Sequence, residues 1–246
     1  KQFPFKFKNK TKLSYVTLAN HTSGLYRLPS NIAMLIFENP ENPYLKYSIK
    51  ELEHYLKNEL VLDNQNISKF SYSNLGAGLL GQTISKKAKK PIEELTQEKI
   101  LSKYVMNATS YTVNTSIIGL DKNSNATVNW DMNALKAAGG IVSNTHDLSK
   151  YIHAHFNSEN KVLSLTRKPT YYINKEMAIG LGWFIKNPLS DKEICFHNGG
   201  TGGFTSCMAF STNNKTGVIV LSNINMEHKE AVLIDKLCFK LMDYLY

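Results

Sequence analysis

The pattern of apolar residues becomes strand-like in the last third of the chain, and this change most constrains the fold. Short apolar or β-branched runs, separated by turn residues, follow one another there: Ile179–Lys186, Glu193–His197, Phe204–Ser211 and Thr216–Ser222. Asn213-Asn214-Lys215 predicts the turn of a hairpin between the last two runs. Short strands joined by short turns pair antiparallel, so we expect an antiparallel sheet over this part of the chain.

Outside these runs, apolar residues recur at helical spacing. Ser48-Ile-Lys-Glu51 has the form of a capping box, and four apolar residues follow at helical intervals: Leu52, Tyr55, Leu56 and Leu60. Further helices are predicted over Leu75–Lys87, from Pro91 to about Leu101, from an N-cap at Thr145 to His155, and over Ala231–Leu245. The fold class predicted is α+β: an antiparallel sheet flanked by helices with a mostly helical second lobe. We expect the helical lobe over residues 1–160 and the sheet with its last helix over residues 161–246.

Composition and charge exclude several classes of protein. No run of 18 apolar residues occurs, so no transmembrane helix is expected, and the chain carries no apolar segment typical of a secretory signal. The net charge is +9, but Arg27 and Arg167 are the two arginines among 29 basic residues. Since phosphate and base recognition rely on arginine forks, we expect no nucleic-acid partner.

The cysteines and histidines predict no metal site. Three Cys without a C-x-x-C pair provide neither a zinc motif nor a disulfide framework. Cys195 and Cys207 are each six residues from Thr201 in the sequence, so they could face one another across a hairpin. We expect two buried thiols there rather than a disulfide. His153 and His155 are two residues apart on a predicted helix, where side chains diverge by about 200°. We expect no metal and no cofactor.

Four segments in this order resemble one family: Leu18-Ala-Asn-His-Thr-Ser-Gly-Leu25, Phe70-Ser-Tyr-Ser-Asn-Leu-Gly76, Ala137-Ala-Gly-Gly-Ile-Val-Ser143 and His197-Asn-Gly-Gly-Thr-Gly-Gly-Phe204. Together they are similar to the penicillin-recognising serine hydrolases, which include class C β-lactamases, D-Ala-D-Ala carboxypeptidases and related esterases. That family builds its site from Ser-x-x-Lys, Tyr-x-Asn, and Lys-Thr-Gly or His-x-Gly. The likeness covers nearly the whole chain.

The resemblance assigns roles to Tyr72 and Asn74. A phenol near positive charge can lose its proton well below its reference pKa of about 10, so Tyr72 would act as a general base. Asn74 would bind an amide of the substrate, as donor and acceptor. The structural alternatives are a core aromatic for Tyr72 and a helix N-cap for Asn74. Tyr172-Ile-Asn174 also fits Tyr-x-Asn but lacks the Gly-rich helix that follows Tyr72.

The resemblance also assigns roles to His197 and to the Gly-rich segment that follows it. His197 would hold the substrate carboxylate or adjust the proton relay where many relatives have Lys; a buried structural imidazole is the alternative. Being mostly neutral at pH 7, it would hold an anion less firmly than Lys. The substrate and its oxyanion would be bound by four residues: Asn198, Gly199, Gly200 and Thr201. The N–H of Gly200 matches half of the family's oxyanion hole, whereas His21, in the His-Thr-Ser-Gly turn, looks structural.

The nucleophile motif is missing from its expected place. In relatives Ser-x-x-Lys opens a buried helix some tens of residues before the His-Thr-Ser-Gly turn. The one match here, Ser158-Glu-Asn-Lys161, stands in a polar stretch and is rejected. Either the chain is part of a longer protein, or it is a naturally shortened, inactive relative. We expect the former, because a sheet without its early strands would expose too much apolar surface.

The resemblance therefore implies a two-lobed serine hydrolase whose cleft is lined by Tyr72, Asn74, His197 and residues 199–203. The complete protein would form an acyl-enzyme on an upstream serine, with a β-lactam, a D-Ala-D-Ala peptide or a small ester as substrate. The competing hypothesis is a non-catalytic protein that binds cell-wall peptides or β-lactams as a sensor. The expected partners are a small-molecule or peptidoglycan-peptide substrate and the protein's own N-terminal fragment. Relatives are commonly exported to the bacterial periplasm.

Overall fold

The computed structural model describes residues 3–113 and 116–245. The chain divides into two compact units. The first holds residues up to Lys99 together with Trp130–Ile141, and the second holds Ile100–Asn129 together with Val142 onward. The units are thus discontinuous in sequence, unlike two consecutive lobes divided at residue 160.

The first unit is built from helices. They are α1 (Tyr15–Ala19), α2 (Ala33–Glu38), α3 (Ile49–His54), α4 (Asn74–Ala88) and α5 (Ile92–Thr96), with 3-10 turns at Lys8–Lys10, Ser30–Ile32 and Asn133–Ala138 and a π-helical turn at Tyr55–Glu59. A second π-helical turn, Gln97–Leu101, begins in this unit and ends in the second. The core contains the four apolar residues predicted after the capping box, each at most 2% exposed. The capping box itself is confirmed, since the N–H of Ser48 donates to Oε2 of Glu51 at 3.1 Å.

Helix α4 lies against the backbone of Asn133–Ala138. A Cβ added at Gly78 would lie 2.9 Å from Cα of Leu135, and one added at Gly81 would overlap Cβ of Ala137. Glycine at these two positions therefore allows tight packing, because it leaves no side chain between the two backbones. The first residue of α4 is Asn74, so this contact also sets where the Tyr-x-Asn motif lies.

The second unit is built on an antiparallel sheet. Among the described residues it has six strands in sequential order: β3 (Tyr171–Tyr172), β4 (Met177–Ile179), β5 (Phe184–Lys186), β6 (Ile194–Gly200), β7 (Thr205–Ser211) and β8 (Thr216–Ser222). A small ladder, β1 (Gly119–Leu120) with β2 (Ala126–Thr127), lies outside it. The helices of this unit are α6 (Thr145–His155), α7 (Lys161–Thr166) and α8 (Val232–Tyr244).

Most predicted elements of this unit are confirmed, and one strand is not. The hairpin turn at residues 213–215 joins β7 to β8 as predicted. The run Ile179–Lys186 is not one strand, because the chain turns at Gly182, where φ is +94°, and forms the β4–β5 hairpin. The N-cap of α6 is Asn144, whose side chain accepts the N–H of Asp147, rather than Thr145.

The predicted pairing of Cys195 with Cys207 is wrong. Cys195 lies opposite Phe210, whereas Cys207 lies opposite Asn198, because the β6–β7 turn is centred after Thr201. Neighbouring positions of a strand face opposite sides of a sheet, so the two thiols lie on opposite faces. Cys207 packs with Cys238 of α8 instead. The three cysteines are buried and free, as expected, and burial raises the pKa of the Cys195 thiol to about 12.

The two faces of the sheet are covered by different helices. Ile152 of α6 packs with Cys195 and Phe210 on one face, and Cys238 of α8 packs with Cys207 on the other. This helix–sheet–helix packing, with the helical first unit, confirms the α+β class. Within the described residues, the structure contains no helix long and hydrophobic enough to span a lipid bilayer.

His155 makes the second unit sensitive to acid. Its ring is 1% exposed and packs on Tyr151, Trp183 and Phe210, and neither ring nitrogen has a hydrogen-bond partner. Burial, aided by the charge of Arg167, lowers the pKa of His155 to about 3. An unfolded histidine has a pKa of about 6.5, so the unfolded state binds a proton that the folded state excludes between these values.

We expect full stability above pH 6.5 and a loss of about 1.4 kcal/mol for each pH unit from 6.5 towards 3. Urea unfolding at pH 7.5 and pH 5.0 measures the loss, about 2 kcal/mol for this group. His155→Leu should remove this contribution of His155 to the loss of unfolding free energy between pH 7.5 and pH 5.0. His153→Leu, an exposed position on the same helix, is the matched control and should keep it. Equal pH dependence in the two variants would show that His155 is not the cause.

Candidate active site

Tyr72 lies just before α4, and Ser73 forms the N-cap of that helix. The hydroxyl of Ser73 accepts the N–H of Gly76 at 2.8 Å and donates to the carbonyl oxygen of Tyr26 at 2.7 Å. The predicted alternative role of Asn74 as N-cap is therefore wrong, since Asn74 is the first helical residue. Ser and Asn are both favoured at N-caps, which is why the sequence alone does not separate them.

His21 holds the segment around Tyr72. Nδ1 of His21 accepts the N–H of Ser73 at 3.1 Å, and its carbonyl oxygen accepts the N–H of Ser71 at 2.8 Å. Its ring centroid lies 4.3 Å from that of Tyr72. The His-Thr-Ser-Gly turn is thus structural, as the resemblance implies, and the structure it supports is the backbone on both sides of Tyr72.

The electrostatic surroundings of Tyr72 differ from the prediction. Burial raises the pKa of the Tyr72 phenol, and the nearby charge of Arg27 opposes that rise without cancelling it. Cζ of Arg27 lies 5.4 Å from the ring centroid. The expected cation is therefore present, but desolvation of the half-buried phenol is the larger effect.

Asn74 follows Tyr72 on the first turn of α4. Its Nδ2 donates to the hydroxyl of Tyr44 at 3.2 Å, and the Tyr44 ring packs on Trp130 with centroids 5.5 Å apart. This contact orients the carboxamide from the side of the helical core. The structure thus brings Tyr72 and Asn74 together at the start of α4, with Tyr44 as a neighbour that the sequence did not indicate.

His197 lies on β6 opposite Met208. Its Nδ1–H donates to the carbonyl oxygen of Asn198 at 2.7 Å, which leaves Nε2 as the unprotonated nitrogen of the neutral ring. Burial lowers the pKa of His197, and this hydrogen bond opposes the shift. The imidazole is therefore neutral at pH 7, as expected from the sequence, and supplies no positive charge there.

Asn198 faces the opposite side of the sheet from His197. Its Nδ2 donates to Oδ2 of Asp235 on α8 at 2.7 Å. Alternation along β6 explains this direction, since neighbouring side chains leave a strand on opposite faces. The predicted substrate-binding side chain is thus bound to the helix behind the sheet, and a direct role would fall to the backbone of this segment.

The glycines at the end of β6 leave backbone groups accessible. The N–H of Thr201 donates to the carbonyl oxygen of Phe204 at 2.8 Å and closes the β6–β7 turn. Hydrogen-bonded and non-hydrogen-bonded pairs alternate in an antiparallel ladder, so Gly199 opposite Ser206 is hydrogen-bonded and Gly200 opposite Thr205 is not. The N–H of Gly200 therefore points away from β7.

On that other side of β6, pairing with β5 ends at Phe196. The N–H of Gly200 is thus directed beyond the end of β5, as a donor to an oxyanion must be. Behind it, a Cβ at Gly200 would overlap the side chain of Met226, so glycine is required by packing as well. This arrangement follows from strand register, which the sequence alone did not indicate.

The rejected Ser-x-x-Lys match lies on the surface. Lys161 is the first residue of α7, its side chain is 77% exposed, and it pairs with Glu159. Among the described residues, no group of three or more His, Cys, Asp or Glu side chains is placed to hold a metal ion.

Comparison with known proteins identifies the relatives of this arrangement. A family model described as Beta-lactamase matches residues 4–237. Protein flp of Staphylococcus aureus (strain MRSA252) is 25% identical over 178 residues, which cover 65% of this chain and 34% of that protein. The chain therefore spans about one third of the curated relatives it matches.

Solved structures share the fold. The beta-lactamase/D-alanine carboxypeptidase from Pseudomonas syringae aligns with a TM-score of 0.73 and 19% identity, over 93% of this chain and 72% of that one. The beta-lactamase/D-alanine carboxypeptidase from Yersinia pestis, complexed with citrate, aligns with a TM-score of 0.71 and 22% identity, over 98% of this chain and 72% of that one.

Proposed function

The chain belongs to the beta-lactamase family, and from that membership we propose that it is the part of a serine acyl hydrolase that supplies the general base and half of the oxyanion hole. The observation that carries the proposal is the register of β6, which directs the N–H of Gly200 beyond the end of β5. The nucleophile is a serine outside these 246 residues, because the one Ser-x-x-Lys match lies on an exposed helix start.

The reaction has two steps, acylation and deacylation. In acylation, the phenolate form of Tyr72 takes the proton of the serine hydroxyl, the serine oxygen attacks the carbonyl carbon, and the neutral phenol then gives the proton to the leaving nitrogen or oxygen. The N–H of Gly200 stabilises the negative charge on the carbonyl oxygen. In deacylation, water attacks the ester carbon, its proton returns to the serine oxygen, and the acid is released.

Each remaining residue has a role that its surroundings permit. Asn74 binds the substrate amide with the carboxamide group oriented by Tyr44. His197 contacts the substrate through its unprotonated Nε2, as a hydrogen-bond acceptor rather than as an anion-binding cation. Because a neutral imidazole holds an anion less firmly than Lys, we propose hydrolysis of a peptide or a small ester ahead of efficient β-lactam turnover.

The protein's own N-terminal fragment, which would carry the serine, is the macromolecular partner in this proposal. Export to the periplasm, where peptidoglycan peptides occur, also belongs to the proposal.

Covalent labelling tests the proposal. The protein carrying its upstream serine is incubated with a fluorescent penicillin, and its intact mass is measured. We expect an increase equal to the mass of the penicillin and loss of the label when that serine is replaced by Ala. Reversible binding without a mass increase in any variant would instead support a sensor of β-lactams or cell-wall peptides.

A further inference from the structure

The loop at Tyr26–Arg27 is fastened to the residues that follow Tyr72. The carbonyl oxygen of Tyr26 accepts the hydroxyl of Ser73 at 2.7 Å, and that of Arg27 accepts the N–H of Leu75 at 3.1 Å. Both hydrogen bonds lie within the first unit. The loop cannot shift along the start of α4 without breaking these two hydrogen bonds. They therefore fix the backbone position of Arg27 relative to Tyr72.

The guanidinium group of Arg27 lies over the ring of Tyr72, with Cζ 5.4 Å from the ring centroid. That distance is within the range of a cation–π contact. Among the described residues, no carboxylate forms a direct ion pair with Arg27. Arginine keeps its proton at every pH at which the protein is folded.

On the basis of the proposed function, we propose that Arg27 is a positioning residue for Tyr72. It holds the ring and stabilises the phenolate, the form of Tyr72 that can accept a proton as a base. A phenolate ring is richer in electrons than a phenol ring. The same guanidinium group therefore attracts the deprotonated form more strongly, and the contact favours that form specifically.

The electrostatics of the site support this role. Burial raises the pKa of Tyr72, and Arg27 is the group whose charge lowers it. His21, the other ring against Tyr72, accepts a hydrogen bond at Nδ1 and is therefore not doubly protonated. Arg27 thus supplies a permanent positive charge beside the ring of Tyr72.

Titration of Tyr72 tests the inference directly. The protein is labelled with [ζ-13C]tyrosine, Tyr72→Phe identifies the signal, and its chemical shift is followed by NMR to pH 11. Arg27→Met should raise the Tyr72 midpoint by about 0.5 to 1 pH unit. Arg27→Lys should keep most of the wild-type value, because it keeps the charge. In wild type, 1 M salt should also raise the midpoint, since Arg27 is exposed and screened by salt.

Lys87→Met is the matched control. Lys87 lies over the ring of Tyr15 at 5.7 Å, a comparable contact elsewhere in the same unit, and its loss should leave the Tyr72 midpoint unchanged. The inference is overturned if Tyr72 has the same midpoint in wild type and Arg27→Met, or if it does not begin to titrate by pH 11 in wild type. If Arg27→Met does not fold, the salt dependence of the wild-type midpoint decides, and its absence overturns the inference.

An activity measurement separates this inference from the proposed function. In the protein with its serine, Arg27→Met should shift the ascending limb of kcat/KM upward by the same 0.5 to 1 pH unit, about a three- to tenfold loss at neutral pH. If no substrate acylates the protein, the proposed function fails, whereas the titration of Tyr72 still decides the role of Arg27.

Discussion

Tyr72→Phe lowers the rate of acylation by a factor of about 10² to 10⁴ in the protein that carries its serine, because general-base catalysis contributes that much. Phe keeps the ring and its packing against His21, with centroids 4.3 Å apart, so the fold should be retained. The rate of labelling by a fluorescent penicillin, followed by stopped flow, measures the effect. Circular dichroism and the thermal midpoint confirm that the variant is folded.

Tyr172→Phe is the matched control for this experiment. Tyr172 belongs to the second Tyr-x-Asn match in the sequence, lies on the edge strand β3 and is 50% exposed. We expect labelling at the wild-type rate, because the motif alone, without α4 behind it, positions no base. Equal rates in wild type and Tyr72→Phe would remove Tyr72 from the chemistry.

Gly78→Val has the largest effect on stability that we expect in the first unit. Its Cβ would lie 2.9 Å from Cα of Leu135, a backbone atom that cannot rotate away. Helix α4 would have to separate from Asn133–Ala138, and overpacking of this kind costs about 3 kcal/mol or more. Urea unfolding at pH 7.5, where His155 contributes no acid sensitivity, measures the free energy of unfolding.

Lys87→Val, at an exposed position of the same helix, serves as the control. It measures the helix propensity of valine, which costs about 0.5 kcal/mol relative to good helix formers, together with the loss of the exposed contact between Lys87 and Tyr15. Because α4 starts at Asn74, the displaced helix of Gly78→Val should also slow labelling. A Gly78→Val variant as stable as Lys87→Val would show that α4 and Asn133–Ala138 are not in backbone contact.

The elements that local patterns specify were predictable from the sequence. The capping box at Ser48, the Gly-rich helix after Tyr72 and the hairpin turn at Asn213-Asn214-Lys215 depend on residues close together in the chain, and all three are confirmed. Strand register is different, because a shift of one residue changes which side chains share a face. The residue opposite Cys195 is Phe210 and not Cys207, and this shift of three residues places the two thiols on opposite faces.

In the candidate site, too, features set by nearby residues were predictable and features set by packing between distant segments were not. The order of the motifs indicated Tyr72, Asn74 and His197, since each lies in a short recognisable segment. Burial of Tyr72, which raises its pKa, and the position of Arg27 over its ring depend on packing between distant segments. The direction of Asn198 towards Asp235 depends on the helix that follows the sheet. No local pattern carries this information.

The crystal structure of the acylated protein tests the central claim most directly, because it shows whether one substrate meets groups from separate parts of the chain. After reaction with a penicillin, the acyl carbonyl oxygen should lie about 3 Å from the backbone nitrogen of Gly200, and the hydroxyl of Tyr72 about 3 Å from the acylated serine oxygen. An acyl group bonded to a serine more than one hydrogen-bond length from both residues would contradict the account.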